Sequence, residues 1–188
     1  MKYVAFLRGI NVGGHKIIKM DELKGAFDSI GFKNVKTFLA SGNVLFDAPK
    51  AGGTTLAKKI SKMLNTTFGK EINVIIRSTD ELQKLVEQKP FDGIKVTPQT
   101  RLYVAFLTEK PDNSLKIPYE SPDGNFKIIA NSKNEVFSVL TLSPNSKTVD
   151  LMSVLEKEFE KKITTRNWNS IMRILEASAV SGKNRKIK

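Results

Sequence analysis

The sequence predicts an α+β fold made of two similar halves. Three observations predict it. Strand-type and helix-type patterns follow one another as β-α-β-β-α-β within residues 1–77. The pentapeptide "YVAFL" at 3–7 returns at 103–107. The patterns that follow the first copy recur, more loosely, after the second. Since β-α-β-β-α-β is the ferredoxin-like order, the expectation is two ferredoxin-like (βαββαβ) halves related by an internal duplication. They cover 1–88 and 101–188, with a connection over 89–100 and the second copy degraded.

Tyr3–Arg8, small and β-favouring, reads as the first strand. Met20, Leu23, Phe27 and Ile30 recur at spacings of three and four, the stripe of an amphipathic helix that stops at Gly31. Asp21 and Glu22 stand in its first turn, where the helix dipole favours negative charge. Val35–Ala40 and Val44–Phe46 are β-type segments around Gly42-Asn43, a hairpin signal. A second stripe, Leu56, Ile60, Met63, Leu64 and Phe68, is closed by Gly69, and Ile72–Arg77 is the next strand. Ser78-Thr79-Asp80-Glu81 has capping-box spacing and opens a third helix with Leu82, Leu85 and Val86.

In the second half, "ASGNVLF" at 40–46 is answered by "ANSKNEVF" at 130–137. The stripe at 56–68 is answered by Leu151, Val154, Leu155 and Phe159. Ile163-Thr164-Thr165 leads into a helix with Trp168, Ile171, Ile174 and Leu175, for which Thr164 or Thr165 is the expected N-cap. The first crossover is the weak correspondence, because residues 111–122 hold three prolines and room for at most a short helix. Tyr3–Leu7 has no polar face, so both sides of that strand are expected to be buried, the second by the other half or another subunit.

The chain has no cysteine and one histidine, His15. That excludes thiol nucleophiles, disulfides, cysteine-bound metals and any multi-histidine metal centre. The formal net charge is +12, with +6 in residues 1–94 and +6 in residues 95–188, a field that attracts polyanions and anionic substrates. The plain alternative is a lysine-rich solvated surface. No apolar run approaches bilayer length, and the N-terminus lacks a small-residue cleavage site. A cytoplasmic location and no membrane partner are therefore expected.

Parallel first and second strands would bring Arg8, Asn11, Ser41 and Asn43 to one rim of the sheet. Arg8 ends an apolar strand, so its guanidinium needs an internal carboxylate or an anionic ligand. Gly13-Gly14 can turn consecutive N–H groups towards an anion, or simply form a glycine-rich connection. The stretch matches neither the mononucleotide nor the dinucleotide glycine motif. His15, beside Lys16, reads as an exposed bystander more readily than as a general base or a phosphate contact, and Ser41 as a turn residue more readily than a nucleophile. Arg166, Asn167 and Asn169 lie in the first turn of a helix, well placed to hold an anion. Trp168 reads as core rather than as a base-stacking platform. The tail "KNRKIK" reads as disordered and adds non-specific basic charge.

The blocks "YVAFLRGINVGGHKIIKM", "FLASGNVLF" and "TTRNWNSIMRIL" together resemble a widespread, mainly bacterial family of domains of unknown function, over nearly the whole chain. The resemblance implies an α+β protein with ferredoxin-like halves. By position it also implies signature residues Arg8, Gly9, Asn11, Val12, Gly13, Gly14, Lys19, Ser41, Gly42, Asn43, Thr165, Arg166, Asn167 and Trp168. It implies no activity, substrate or cofactor.

The leading expectation is a binding protein for an anionic ligand, nucleic acid or a nucleotide. Its ligand-binding residues would be Arg8, Asn11, Gly13, Gly14, Ser41, Asn43, Arg166 and Asn167. One alternative is a small enzyme acting on a phosphorylated or carboxylated metabolite, but no dependable general acid or base is identified and no catalytic residue assigned. Another is a structural or interaction module whose signature residues lock the halves together. No metal or cofactor is expected, and the oligomeric state is left open.

Overall fold

The computed structural model describes residues 1–11, 17–38, 42–109, 116–142, 148–159 and 163–183. The architecture is mixed α+β, with two antiparallel sheets and, among the described residues, five helices. The chain forms two compact units, Met1–Lys84 with the last helix from Arg173 onward, and Leu85–Met172.

In the first unit the predicted order is present: β1 (Lys2–Leu7), α1 (Met20–Ser29), β2 (Lys33–Phe38), β3 (Asn43–Asp47), α2 (Gly53–Phe68) and β4 (Val74–Ser78), followed by α3 (Thr79–Glu87). The sheet runs β2-β3-β1-β4. β3 is antiparallel to both β1 and β2, so β1 and β2 are parallel and end at the same edge. Tyr3, Ala5 and Leu7 point to α1 and α2 and form a core with Leu23, Phe27, Leu56, Ile60 and Leu64. Each wholly buried leucine, isoleucine or phenylalanine contributes about 1.5–3 kcal/mol. Phe32 stacks on Phe46 at 4.4 Å between ring centroids, and Phe27 meets Phe46 edge-on at 5.5 Å. Val4 and Phe6, on the other face, are also wholly buried, as the apolar run implies.

The local signals explain the element ends. Gly69 stops α2 in the left-handed conformation (φ +65°), its N–H donating to Asn65 O at 2.8 Å. The capping box is complete: Glu81 N donates to Ser78 Oγ at 3.2 Å, and Ser78 N donates to Glu81 Oε2 at 2.7 Å.

The second unit contains β5 (Thr100–Leu107), β6 (Tyr119–Glu120), β7 (Phe126–Asn131), β8 (Glu135–Thr141), α4 (Thr148–Phe159) and β9 (Ile163–Asn167), and α5 (Trp168–Lys183) begins there. Its sheet runs β6-β7-β8-β5-β9. Ala105, Leu107, Ile128, Val136, Leu140, Leu151 and Leu155 make its core. Within the proline-bearing stretch, residues 110–115 lie outside those described, and the rest holds the short strand β6 instead of a helix. Pro118 and Pro122 lack the N–H groups a helix needs, whereas an edge strand tolerates them. Residues 89–99 carry no helix or strand. Phe91 from this connection packs edge-on against Phe137 at 5.8 Å and Trp168 at 5.2 Å. Trp168 is thus a half-buried packing residue.

The repeated pentapeptide is also a repeat of register. Tyr3 pairs with Phe46 and Ser78, and Tyr103 with Ser138 and Asn167; Ala5 pairs with Val44 and Ile76, and Ala105 with Val136 and Thr165. The next ladder bonds agree, Leu7 N to Gly42 O and Leu107 N to Asn134 O, both 2.8 Å. The order β7-β8-β5-β9 repeats β2-β3-β1-β4.

Candidate functional site

At the C-terminal edge of β1 the backbone is held on both sides. Leu7 N donates to Gly42 O at 2.8 Å, and Arg8 N donates to Asn73 O at 2.9 Å. Strand alternation puts Arg8 on the face of Val4 and Phe6, away from α1 and α2. Asn43 pairs with Phe6 and with Phe38, which puts it on that same face at the same edge. It is wholly buried, with Nδ2 donating to Phe38 O at 3.4 Å. The fold therefore brings Arg8 and Asn43 together. Gly42 next to Asn43 is required by the packing: its φ is +75°, and a Cβ there would meet Ile10 Cγ1 at 2.7 Å and Leu7 Cβ at 3.0 Å.

Asn11 does something the sequence did not announce. It has φ +58°, its Nδ2 donates to Ile18 O at 3.0 Å, and its Oδ1 accepts from Ile18 N at 2.8 Å. This two-way bond imitates a strand pairing and ties the base of the loop that precedes α1. Gly13, Gly14, His15, Lys16 and Ser41 lie outside the described residues.

In the second unit, Thr164 and Thr165 are strand residues of β9, which corrects the expected N-cap. Asn167 is the cap, its Oδ1 accepting from Asn169 N at 2.9 Å. The strand runs that far because Asn167 still pairs with Tyr103. Ser78, at the same register position opposite Tyr3, caps α3. Arg166 faces the side of Val104 and donates Nη1 to Thr165 O at 2.7 Å. Burial pushes its guanidinium down to about 10, which leaves it charged at neutral pH.

Arg77 is the residue the sequence reading missed. It pairs with Val4 as Arg166 pairs with Val104, and donates Nη1 to Ile76 O at 2.9 Å. The only signal available was the alignment of "VIIRS" at 74–78 with "ITTRN" at 163–167. Reading faces from the register, the side of the first sheet turned away from α1 and α2 carries Lys2, Arg8, Lys33, Lys36 and Arg77, with Asp47 as its carboxylate. Lys2 Nζ donates to Ser178 O of α5 at 2.8 Å. Apolar Val4, Phe6, Leu45 and Ile75 fill the centre of this face.

Among the described residues no group of three or more His, Cys, Asp or Glu could hold a metal ion, and no helix is long and apolar enough to cross a membrane.

Among solved structures, the chain is similar to a conserved bacterial protein, SP0830, from Streptococcus pneumoniae. The two share 22% identity and a TM-score of 0.71 over 93% of this chain and 97% of the other. No curated protein matches. The family model described as "Protein of unknown function (DUF1697)" matches residues 1–137, which include β1, the Gly42-Asn43 turn and Arg77, and on that match the chain belongs to the DUF1697 family.

Proposed function

We propose that this chain binds an anionic ligand, nucleic acid or a nucleotide, at the cationic rim of this sheet face in the first unit, around the buried centre of Val4, Phe6, Leu45 and Ile75. One observation supports the reading above the others: five cations, Lys2, Arg8, Lys33, Lys36 and Arg77, share a sheet face with one carboxylate, Asp47. Such a face raises the local concentration of polyanions, and the planar arginine fork matches phosphate oxygens. In this reading Arg8 and Asn43 form the rim at the end of β1, and Gly13, Gly14 and Ser41 belong to the loops beside it. Asn11 serves by tying the loop rather than by touching ligand. Arg166 and Asn167 belong to the second unit. A cytoplasmic setting, where nucleic acids and nucleotides are abundant, suits the reading.

We also infer that the two units are copies of one ferredoxin-like unit. The shared four-strand order and the matching registers at Tyr3 and Tyr103 support this. The second copy would have kept its four strands, with the short strand β6 among the described residues between the first two.

Fluorescence anisotropy with a labelled single-stranded oligonucleotide tests the binding. Saturable binding is expected at about 50 mM salt, weakening as salt rises with a log–log slope of about −0.7 per neutralised phosphate. Absence of binding at low salt, or binding that Arg8→Ala and Arg77→Ala leave untouched, overturns the reading.

A further inference from the structure

Two Asp-Gly pairs occur in the chain, Asp92-Gly93 in the connection between α3 and β5, and Asp123-Gly124 between β6 and β7. An aspartate followed by glycine has one reaction open to it without a catalyst. The glycine nitrogen, left unhindered by the missing Cβ, attacks the aspartyl Cγ and closes a five-membered succinimide. Both glycines have left-handed backbone, φ +76° for Gly93 and +67° for Gly124, and both pairs are exposed. The two sequences are equally eligible; the structure separates them.

At Asp123 both reacting groups are held apart. The carboxylate accepts from Ser121 Oγ at 2.6 Å, Asn125 N at 3.1 Å and Asn125 Nδ2 at 2.6 Å. Gly124 N donates elsewhere, to Ser121 O at 2.8 Å. Attack there must break the turn bond and strip donors from the carboxylate, and each bond lost raises the barrier. At Asp92 the arrangement is reversed. Gly93 N donates to Asp92 Oδ1 at 3.1 Å, so the attacking nitrogen already lies against the carboxyl group. Among the described residues that carboxylate meets no other partner. A Cβ built on Gly93 would meet nothing within 4 Å, so the turn has room to close the ring. Residues 89–99 carry no helix or strand that would resist it.

We propose that Asp92-Gly93 is a site of spontaneous backbone modification, converting through a succinimide to isoaspartate, while the turn around Asp123-Gly124 protects that pair. In the first step the bond from Gly93 N to Asp92 Cγ forms, and the amide hydrogen leaves with a carboxyl OH as one water. In the second step one water adds back to the ring. Addition at Cγ restores aspartate. Addition at the main-chain carbonyl breaks its bond to Gly93 N, and the chain then runs through Cβ and Cγ. The mass is unchanged, and the main chain is one methylene longer. Phe91, the residue before, packs against Trp168 at 5.2 Å and Phe137 at 5.8 Å between ring centroids, so the change falls beside an aromatic contact of the second unit. The proposal is independent of anion binding by the first unit.

The experiment incubates the intact protein at neutral pH for several weeks and digests aliquots with trypsin. Cleavage after lysine yields peptides 85–95 and 117–127, one for each pair. Isoaspartyl and aspartyl forms are separated by chromatography and assigned by electron-transfer fragmentation. Isoaspartate is expected to accumulate in peptide 85–95 about ten times as fast as in 117–127, a barrier difference of about 1.4 kcal/mol. In denaturing guanidinium chloride the two rates should converge, because the turn that protects Asp123 is gone. Asp92→Glu, which would have to close a six-membered ring, should yield no isomer in 85–95. Equal rates in the folded protein, a faster rate at Asp123, or no isoaspartate at Asp92 overturns the proposal. A tenfold difference that persists in denaturant overturns it too, since the folded turns would then not be its cause.

Discussion

Arg77 and Arg166 occupy one position in two different sheets. Arg77 lies opposite Val4 and Arg166 opposite Val104, and each folds an Nη1 onto the carbonyl of the residue before it, Ile76 at 2.9 Å and Thr165 at 2.7 Å. The position after each arginine is also shared: Ser78 and Asn167 end their strands and cap the next helix. A strand, an arginine and a capping residue thus recur as one device.

The caps give the first prediction. Ser78→Ala and Asn167→Ala should each lower stability by about 1 kcal/mol. Ser78→Ala should be the larger of the two, because Glu81 also bonds Ser78 Oγ at 2.8 Å. Urea unfolding should show a lower midpoint with an unchanged slope.

Asn11 should matter to stability more than a surface polar residue does. Asn11→Ala removes both bonds to Ile18 and is expected to cost about 1–2 kcal/mol. Asn11→Gly accommodates φ +58° without strain and should still lose the clamp. Equal stability of Asn11→Gly and the original protein, by urea unfolding, contradicts the clamp.

Two glycines with similar φ should respond differently to alanine. Gly42→Ala combines left-handed strain with a Cβ 2.7 Å from Ile10 Cγ1, so a loss of about 2–5 kcal/mol is expected. Gly69→Ala meets nothing within 4 Å and should cost only the backbone term, about 1–2 kcal/mol. Comparing the two melting temperatures separates packing from backbone strain.

Asp123 should titrate below its ordinary 3.8, because Ser121 Oγ donates to it at 2.6 Å and Asn125 N at 3.1 Å. The sign follows from the direction: a carboxyl depressed in the folded state stabilises above its unfolded value and loses that contribution as pH falls through the folded one. Carboxyl NMR should place its midpoint below 3.8, and Asp123→Asn should reduce stability at neutral pH more than in acid.

Much of the fold was legible because periodicity and punctuation agree locally. The stripe Leu56–Phe68 ends at Gly69, and the capping box at Ser78 is present as spelled. The repeat at 3–7 and 103–107 carried more than composition, since the identical pentapeptides took matching registers. The cap of α5 was misread because Thr, Ser and Asn all cap helices, and only the ladder to Tyr103 shows that β9 reaches Asn167. Arg77 was overlooked because it sits inside an apolar strand, where neither periodicity nor a motif marks it. The bonds of Asn11 to Ile18 were not legible because that partner is seven residues away across a loop. Bonds across loops leave no local pattern.

The central claim is that anions bind a defined face of the first sheet and not basic charge in general. The measurement that tests it most directly compares oligonucleotide affinity and its salt dependence in two double variants of equal charge. Arg8→Ala with Arg77→Ala alters the proposed face, while Lys58→Ala with Lys62→Ala removes two exposed cations from α2. The account predicts that the arginine pair weakens binding and flattens the salt slope by about 1.4, at about 0.7 per lost phosphate contact. The lysine pair should change the slope little. Equal losses from the two pairs would contradict the account.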